Sequence, residues 1–241
     1  MKAGIIAAGE GSRLRSEGIT TLKPLVPVNG VPLIERLIMS FIRAGIDELV
    51  CIVNESSTAV KSFVEKKQFP IPVTFVVKTT PSSMHSLFAL APHLMDGKFL
   101  LSTVDSIFHE DEFGRFMDHA RNRESVDGLL AVTGFIDDEN PLPVQVDPSM
   151  RILAFGTPKA GPGTPRTPSA APLATGGLYV FSPRVFNEID SALKQGIQRL
   201  RNFLSYLVKR GYALEAYPFS KIVDVDHADD VRTAEDLLRA R

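Results

Sequence analysis

Small residues and cations near the start of the chain have the chemistry needed to bind a polyphosphate. The segment AAGEGSRLR follows a short apolar run, and Lys23 comes later in the same glycine- and proline-rich stretch. Small residues let backbone N–H groups approach phosphate oxygens, and cations neutralise the charge of those oxygens. We therefore expect this stretch to bind a nucleoside triphosphate through the following residues: Ala8, Gly9, Gly11, Ser12, Arg13 and Lys23.

The glycines alone are a weak signal. The segment GEGSRL lacks the third glycine of the dinucleotide-binding motif, and we expect that it does not enter a helix. It also lacks the G-K-S/T sequence of a P-loop. The prediction therefore depends on the cations. Arg13 and Lys23 are expected to contact phosphate, whereas Arg15 is explained equally well as a phosphate contact or as a solvated charge of the loop.

Carboxylates follow two further apolar runs. Asp105 comes directly after FLLSTV, and Asp224 and Asp226 lie in KIVDVD. A carboxylate at the end of a buried strand is costly unless it is exposed or paired, and Mg²⁺ would satisfy it. We expect Asp105 to bind Mg²⁺. Asp226 lies just before Ala228, so we expect Asp226 to cap the helix that begins there.

The first half of the chain alternates short apolar runs with amphipathic stretches. Four consecutive strand–helix units predict a doubly wound α/β fold, with a mostly parallel sheet and helices on both faces. Ligands of such sheets bind beyond the carboxyl ends of the strands, where the loop of residues 8–31 and Asp105 both fall. The predicted strands are 3–7, 48–53, 73–77, 98–103 and 128–134; the predicted helices are 32–44, 56–67, 83–95 and 109–123.

The second half is less regular, and a small β pair at residues 144–146 and 152–155 interrupts the alternation. Residues 156–177 are rich in proline and glycine and are expected to form a loop. We expect one domain over residues 1–241, with this loop inside it. The remaining predicted strands are 177–181, 214–217 and 222–225; the remaining predicted helices are 184–192, 197–209 and 228–239.

The composition excludes several classes of protein. A formal net charge of -1 gives no electrostatic footprint for duplex nucleic acid. No apolar run is long enough for a membrane span, and the first apolar run is too short for a signal peptide, so we expect a cytoplasmic protein with no membrane partner. The single cysteine, Cys51, lies in ELVCIV and is expected to pack as a small hydrophobic residue.

The run AAGEGSRLR…LKPLVPVNGVPLIERLI resembles the opening of the nucleotide-sugar pyrophosphorylases, also called sugar-1-phosphate nucleotidyltransferases. Further matches at VDS, TGGLYVF and VDVDHADDV follow in the order of that family. The resemblance implies a fold of the nucleotide-diphospho-sugar transferase type. It also implies Mg²⁺-dependent transfer of a nucleotidyl group from a nucleoside triphosphate to a sugar 1-phosphate, which releases pyrophosphate and forms an NDP-sugar.

The resemblance also implies roles for individual residues. Arg13 and Lys23 would be catalytic, with Arg13 at the departing β- and γ-phosphates and Lys23 at the α-phosphoryl group. Asp105 and Asp224 would bind Mg²⁺. Because Asp224 is the first acidic residue of its motif, it is preferred over Asp226 as the second metal ligand.

Recognition of the base and of the sugar is implied less directly. Ser82 and His85 lie where relatives carry a small G-T-A type segment near the base, and Lys159 and Gly177 would contact the sugar phosphate. The chain departs from the family pattern at TPKA, around Lys159, and Thr175 replaces the usual asparagine.

Two other functions stay open at this point. A glycosyltransferase that consumes a nucleotide sugar could use the same scaffold, and so could a sensor that binds a nucleotide or sugar without catalysis. The sequence identifies neither the base, nor the sugar or alcohol phosphate, nor the oligomeric state.

Overall fold

The computed structural model of the protein describes residues 1–123, 125–136, 139–157 and 172–240. None of the helices in these ranges combines the length and apolarity needed to cross a bilayer. The helices are α1 (Ser12–Ser16), α2 (Leu33–Arg43), α3 (Thr58–Lys67), α4 (Ser83–Leu94), α5 (Glu110–Asn122), α6 (Ile189–Lys194), α7 (Leu200–Lys209) and α8 (Ala228–Arg239). The strands are β1 (Lys2–Ile6), β2 (Pro27–Val28), β3 (Val31–Pro32), β4 (Glu48–Val53), β5 (Val73–Val77), β6 (Phe99–Thr103), β7 (Ser106–Phe108), β8 (Gly128–Thr133), β9 (Pro143–Val146), β10 (Ile152–Phe155), β11 (Leu173–Phe181), β12 (Leu214–Phe219) and β13 (Ile222–Asp224).

The main sheet is mixed, and most of its strands run in one direction. Strands β6, β1, β4 and β5 are neighbours in that order, and each adjacent pair is parallel. On the other side of β6, β11 runs antiparallel and joins β6 to β8, which pairs in parallel with β12. β9 and β10 form a small antiparallel pair beside the start of β11. The predicted mostly parallel sheet, with a small β excursion in the second half, is therefore confirmed.

Alternating side chains of the buried strands pack into separate apolar layers on the two faces of the sheet. Along β4, Leu49, Cys51 and Val53 belong to one layer, and Val50 and Ile52 to the other. Helices α2, α3 and α5 cover the first layer, and α4 and α7 cover the second. The doubly wound arrangement is confirmed. The packing role of Cys51 is also confirmed, because its side chain is fully buried in the first layer. This burial raises the pKa of the thiol to about 12.

Two predictions of secondary structure are wrong in detail. The glycine-rich segment does enter a short helix, because Gly11 adopts φ 60° and turns the backbone into α1. Strand β11 begins at Leu173 instead of residue 177, since its first residues pair with β9 and a register shift after Thr175 accommodates the glycine pair. Most of the predicted 156–177 loop lies outside the described residues. The other predicted elements are present: β4, β5, β10 and α8 have the predicted bounds, and the bounds of the rest are shifted by a few residues. The predicted 184–192 helix begins as a 3-10 turn, Pro183–Glu188.

Candidate nucleotide and metal site

A third apolar cluster lies beneath the candidate site and connects segments that are far apart in the chain. It includes Leu14 of α1, Val26 of the loop after Lys23, Ile107 of β7 and Val223 of β13. Each of these four side chains is almost fully buried. Because these apolar side chains pack together, the polar residues next to them in sequence reach a common surface.

The ribbon formed by β7 and β13 brings Asp105 and Asp224 to neighbouring positions. Its antiparallel register pairs Ser106 with Asp224. The Val225 N–H donates to the Asp105 carbonyl at 3.1 Å, and Ser106 Oγ donates to Asp224 Oδ1 at 3.1 Å. The two carboxylates expected from the sequence to bind a metal ion are therefore placed side by side by backbone pairing.

Lys23 lies at the centre of the charge network. Its ammonium donates to Asp105 Oδ2 and to Asp226 Oδ1, and its side chain is only 8% exposed. Burial lowers the pKa of Lys23, but the charges of both aspartates outweigh burial and raise the pKa above its ordinary value. A Cβ on Gly11 would lie 2.9 Å from the Lys23 Cβ, so this glycine lets the loop pack directly against the lysine. Lys23 is therefore a fixed positive charge.

Arg13 extends this network to the surface. Its Nη1 donates to Asp226 Oδ2 at 2.7 Å, and its Nη2 lies 3.7 Å from Glu139 Oε2. Arg15 instead donates to the Glu10 carbonyl at 2.8 Å. Arg13 thus connects the loop of residues 8–31 to the acidic side of the site, whereas Arg15 stabilises the loop itself.

The charges of Asp105 and Asp224 are suited to a divalent cation. Burial raises the pKa of Asp105, but the Lys23 ammonium outweighs burial and keeps this pKa below its usual range. Burial and the nearby Asp105 charge raise the pKa of Asp224 well above its usual range. Asp105 Oδ1 is buried and accepts no hydrogen bond from any described residue. A bound Mg²⁺ would satisfy this oxygen and relieve the repulsion between the two carboxylates.

The described residues do not group three His, Cys, Asp or Glu side chains into a complete metal site. Magnesium in nucleotide-dependent enzymes commonly binds one or two carboxylates and completes its shell with phosphate oxygens and water. The Asp105–Asp224 pair is consistent with a magnesium site of this kind, in which two carboxylates bind the ion and the nucleotide and water complete its shell.

The expectation that Asp226 caps a helix is wrong. β13 ends at Asp224, and the Asp226 N–H donates to the Asp224 carbonyl at 3.1 Å. This tight turn follows the end of β13, and the Asp226 carboxylate lies in the charge network, where it accepts from Lys23 and Arg13. The helix α8 is capped instead by His227 together with Asp230, whose carboxylate accepts hydrogen bonds from the backbone N–H groups of residues 226 and 227.

The other residues expected to bind the nucleotide lie along the same edge of the sheet, beyond the carboxyl ends of β1 and β5. Ala8 is half-buried, and Gly9 and Ser12 are exposed. Ser82 Oγ and His85 Nδ1 lie 2.9 Å apart at the start of α4. Their contacts with a nucleotide stay predictions.

A pocket opens beside Asp224 and next to the arginine–carboxylate network. Gly176 and Glu139 are among the residues that line it. Gly177, expected from the sequence to contact the sugar phosphate, packs against Thr103 at the end of β6 and against Ser106. Lys159, the other residue expected there, lies outside the described residues.

Changing Gly177 to alanine will destabilise the fold more than changing Gly196 to alanine. Both glycines have positive φ angles, 74° and 71°. A Cβ at Gly177 would overlap Ser106 Oγ and lie 2.6 Å from Thr103 Oγ1, whereas no atom lies within 4 Å of a Cβ at Gly196. We expect an extra loss of about 1–3 kcal/mol in the free energy of unfolding for Gly177→Ala, measured by urea denaturation. Equal losses would show that the hydroxyl groups move aside freely.

Glu17, at the end of α1, connects the loop of residues 8–31 to the start of α8. Its Oε1 lies 2.6 Å from His227 Nδ1, and its Oε2 accepts the Ala228 N–H at 2.6 Å. The hydrogen bond to Glu17 raises the pKa of His227, and the same contact lowers the pKa of Glu17. Nothing in the sequence indicated this contact, because Glu17 and His227 lie at opposite ends of the chain.

The Glu17–His227 contact will make the effect of Glu17→Gln on stability depend on pH. The raised pKa of His227 contributes stability below its ordinary value of 6.5, and the lowered pKa of Glu17 contributes above its ordinary value of 4.5. The melting-temperature difference from wild type should therefore be largest between these pH values. It should shrink as pH rises through the folded-state pKa of His227. Glu10→Gln, at an exposed position of the same loop, is the control, and a difference independent of pH would contradict the assignment.

The mostly parallel sheet with helices on both faces is the α/β fold that the resemblance implied, that of the nucleotide-diphospho-sugar transferases. The chain belongs to the nucleotidyl transferase family, whose model matches residues 2–241. The resemblance seen in the opening motifs is therefore confirmed.

The chain covers different shares of the length of individual relatives. A UTP–glucose-1-phosphate uridylyltransferase of Haloferax volcanii is 24% identical, with 99% of this chain and 97% of the relative covered. A glucose-1-phosphate thymidylyltransferase of Actinoplanes sp. is 26% identical over 77% of this chain, and only 59% of its own length is covered. The solved inositol-1-phosphate CTP transferase from T. maritima superposes with a TM-score of 0.78 at 21% identity, covering 99% of this chain and 96% of that one. The last comparison shows the shared fold.

Proposed function

We propose that the protein transfers a nucleotidyl group from a nucleoside triphosphate to a sugar 1-phosphate or a similar alcohol phosphate, with Mg²⁺ and with release of pyrophosphate. One observation carries the proposal. Lys23 donates to Asp105, which lies beside Asp224 on the β7–β13 ribbon, and Asp105 Oδ1 is buried there with no donor among the described residues. Arg13 joins the same network through Asp226, which also accepts from Lys23.

The reaction suits this set of side chains. A phosphate oxygen of the acceptor forms a bond to the α-phosphorus while the bond from that phosphorus to the pyrophosphate oxygen breaks. Since the attacking oxygen is already anionic, the reaction needs no protein nucleophile. Catalysis then depends on positioning and on neutralising charge. Lys23 would stabilise charge at the α-phosphoryl group, and the planar guanidinium of Arg13 would bind the departing phosphates.

Asp105 and Asp224 would bind the Mg²⁺ ion, which supplies a further positive charge for the phosphate oxygens. The protein contributes the orientation of both carboxylates through the β7–β13 ribbon and through the hydrogen bond from Ser106. Lys23, buried against Asp105, keeps one oxygen of that carboxylate engaged and leaves the other available.

The names of the relatives indicate the class of acceptor but not the base. Two relatives are named for glucose 1-phosphate and a third for inositol 1-phosphate, which are phosphates of polyhydroxy compounds. The same three are named for uridylyl, thymidylyl and CTP-dependent transfer. The pocket beside Asp224 is the proposed acceptor site, because it adjoins the Arg13 network.

The test is a panel of the common nucleoside triphosphates with sugar and polyol phosphates, with Mg²⁺, monitored for pyrophosphate release. A thermal-shift screen of the same triphosphates identifies the base, since a ligand that binds the folded state raises the melting temperature. Pyrophosphate released together with a new nucleotide-linked product supports the proposal. Release of nucleoside diphosphate from a nucleotide sugar would indicate a glycosyltransferase, and binding without turnover would indicate a sensor.

A further inference from the structure

Asp226 is a carboxylate shared between the two cations that the proposed function assigns to the triphosphate. Its Oδ1 accepts from the Lys23 ammonium, and its Oδ2 accepts from Arg13 Nη1 at 2.7 Å. One acidic side chain therefore engages both cations at once. A phosphate group binds arginine and lysine through the same kind of charge-assisted hydrogen bond.

The position of Asp226 is fixed by the backbone around it. Its N–H donates to the Asp224 carbonyl at 3.1 Å and to Asp230 Oδ2 at 2.9 Å, so the turn is joined to the first turn of α8. The Asp226 side chain is 35% exposed, whereas that of Lys23 is 8% exposed. Asp226 also lines the pocket beside Asp224. A ligand that enters the site from solvent therefore meets the Asp226 carboxylate before it reaches Lys23.

We propose that Asp226 is a positioning residue that substitutes for the triphosphate: its carboxylate orders Arg13 and Lys23 before the nucleotide binds and gives up these contacts to phosphate oxygens when it does. This inference rests on the proposed function. Without Asp226, the Arg13 guanidinium would keep only the longer contact with Glu139 among the described ion pairs, and its orientation would be less restricted.

The proposal has two opposite consequences. Removing the charge of Asp226 removes an anion that competes with the incoming phosphates, so the triphosphate chain should bind more tightly. The same change leaves Arg13 and Lys23 less ordered, so turnover should fall. A residue that only stabilised the turn before α8 would lower the melting temperature and would produce neither effect in this combination.

The experiment compares Asp226→Asn with Asp229→Asn, which makes the same charge change on α8. The Asp229 side chain is 87% exposed and lies 3.6 Å from Arg232. Titration calorimetry with inorganic tripolyphosphate, in EDTA, measures the charge interaction without a base or an acceptor. We expect the dissociation constant to fall about 3- to 10-fold in Asp226→Asn and to be unchanged in Asp229→Asn. In the full reaction, kcat of Asp226→Asn should fall about 10-fold or more.

Two further measurements separate this role from others. In an Arg13→Gln background, Asp226→Asn should change tripolyphosphate affinity much less than in wild type. Without the Arg13 guanidinium, Asp226 and phosphate no longer compete for that cation. The affinity for Mn²⁺ should fall only slightly in Asp226→Asn, through the loss of one nearby negative charge, since both oxygens of this carboxylate engage Lys23 and Arg13. A large loss of Mn²⁺ affinity, or tripolyphosphate binding that is equal or weaker in Asp226→Asn, would overturn the proposal. If the wild type binds neither tripolyphosphate nor any nucleoside triphosphate, the proposed function fails as well.

Discussion

Replacing Asp105 with asparagine will reduce the rate of pyrophosphate release by at least about 100-fold with the fold intact. Asparagine has the same shape and keeps an oxygen that can accept from Lys23. It removes the negative charge that the buried, unpartnered Oδ1 would offer to Mg²⁺. Steady-state kinetics across Mg²⁺ concentrations measure the loss, and circular dichroism checks the fold. Direct Mn²⁺ titration should show weaker binding in the variant.

Asp224→Asn should lose activity to a similar extent and become more stable in EDTA. Burial and the charge of Asp105 disfavour the ionised form of Asp224, as the raised pKa indicates, so a neutral side chain relieves an unfavourable interaction. We expect a melting temperature a few degrees above wild type at neutral pH. Asp229→Asn should change neither property. If both Asp105→Asn and Asp224→Asn kept full turnover, the metal assignment would be wrong.

Much of the fold follows from local sequence pattern. The buried strands β1, β4, β6 and β8 are short apolar runs, and the helices between them carry apolar stripes, so period and length were sufficient to predict them. The strand β11 was harder to predict, because its Gly176–Gly177 pair has the composition of a loop. Its strand conformation depends on pairing with β8 and β9, which are distant in sequence.

Some residues of the candidate site could likewise be predicted from sequence, and others could not. The loop with Arg13 and Lys23, and the carboxylate of Asp105, could be placed from sequence, since parallel strands bring their carboxyl ends to one edge. The role of Asp226 could not, because its partners Lys23 and Arg13 come from the opposite end of the chain. Glu17 could not either, because its partners come from the other end of the chain.

Replacing Lys23 with methionine will damage both stability and turnover. Lys23 is the buried partner of Asp105 and Asp226, and removing one member of such a group leaves charges buried without compensation. We expect the free energy of unfolding to fall by about 3 kcal/mol, as measured by urea denaturation. We also expect kcat to fall at least about 100-fold, and by a larger factor than the affinity for triphosphate, because the ammonium acts on charge that develops during transfer.

The double variant Lys23→Met, Asp226→Asn distinguishes lost charge balance from lost packing. If the cost of Lys23→Met comes from unpaired carboxylates, neutralising Asp226 should recover part of the lost stability, and the two effects will not add. If the cost comes from packing of the lysine stem against Gly11, methionine largely replaces that stem, and the second change will recover nothing. Turnover should stay low in the double variant in either case, since neither substitution restores a cation next to the α-phosphoryl group. A double variant with restored turnover would show that Lys23 is a structural residue.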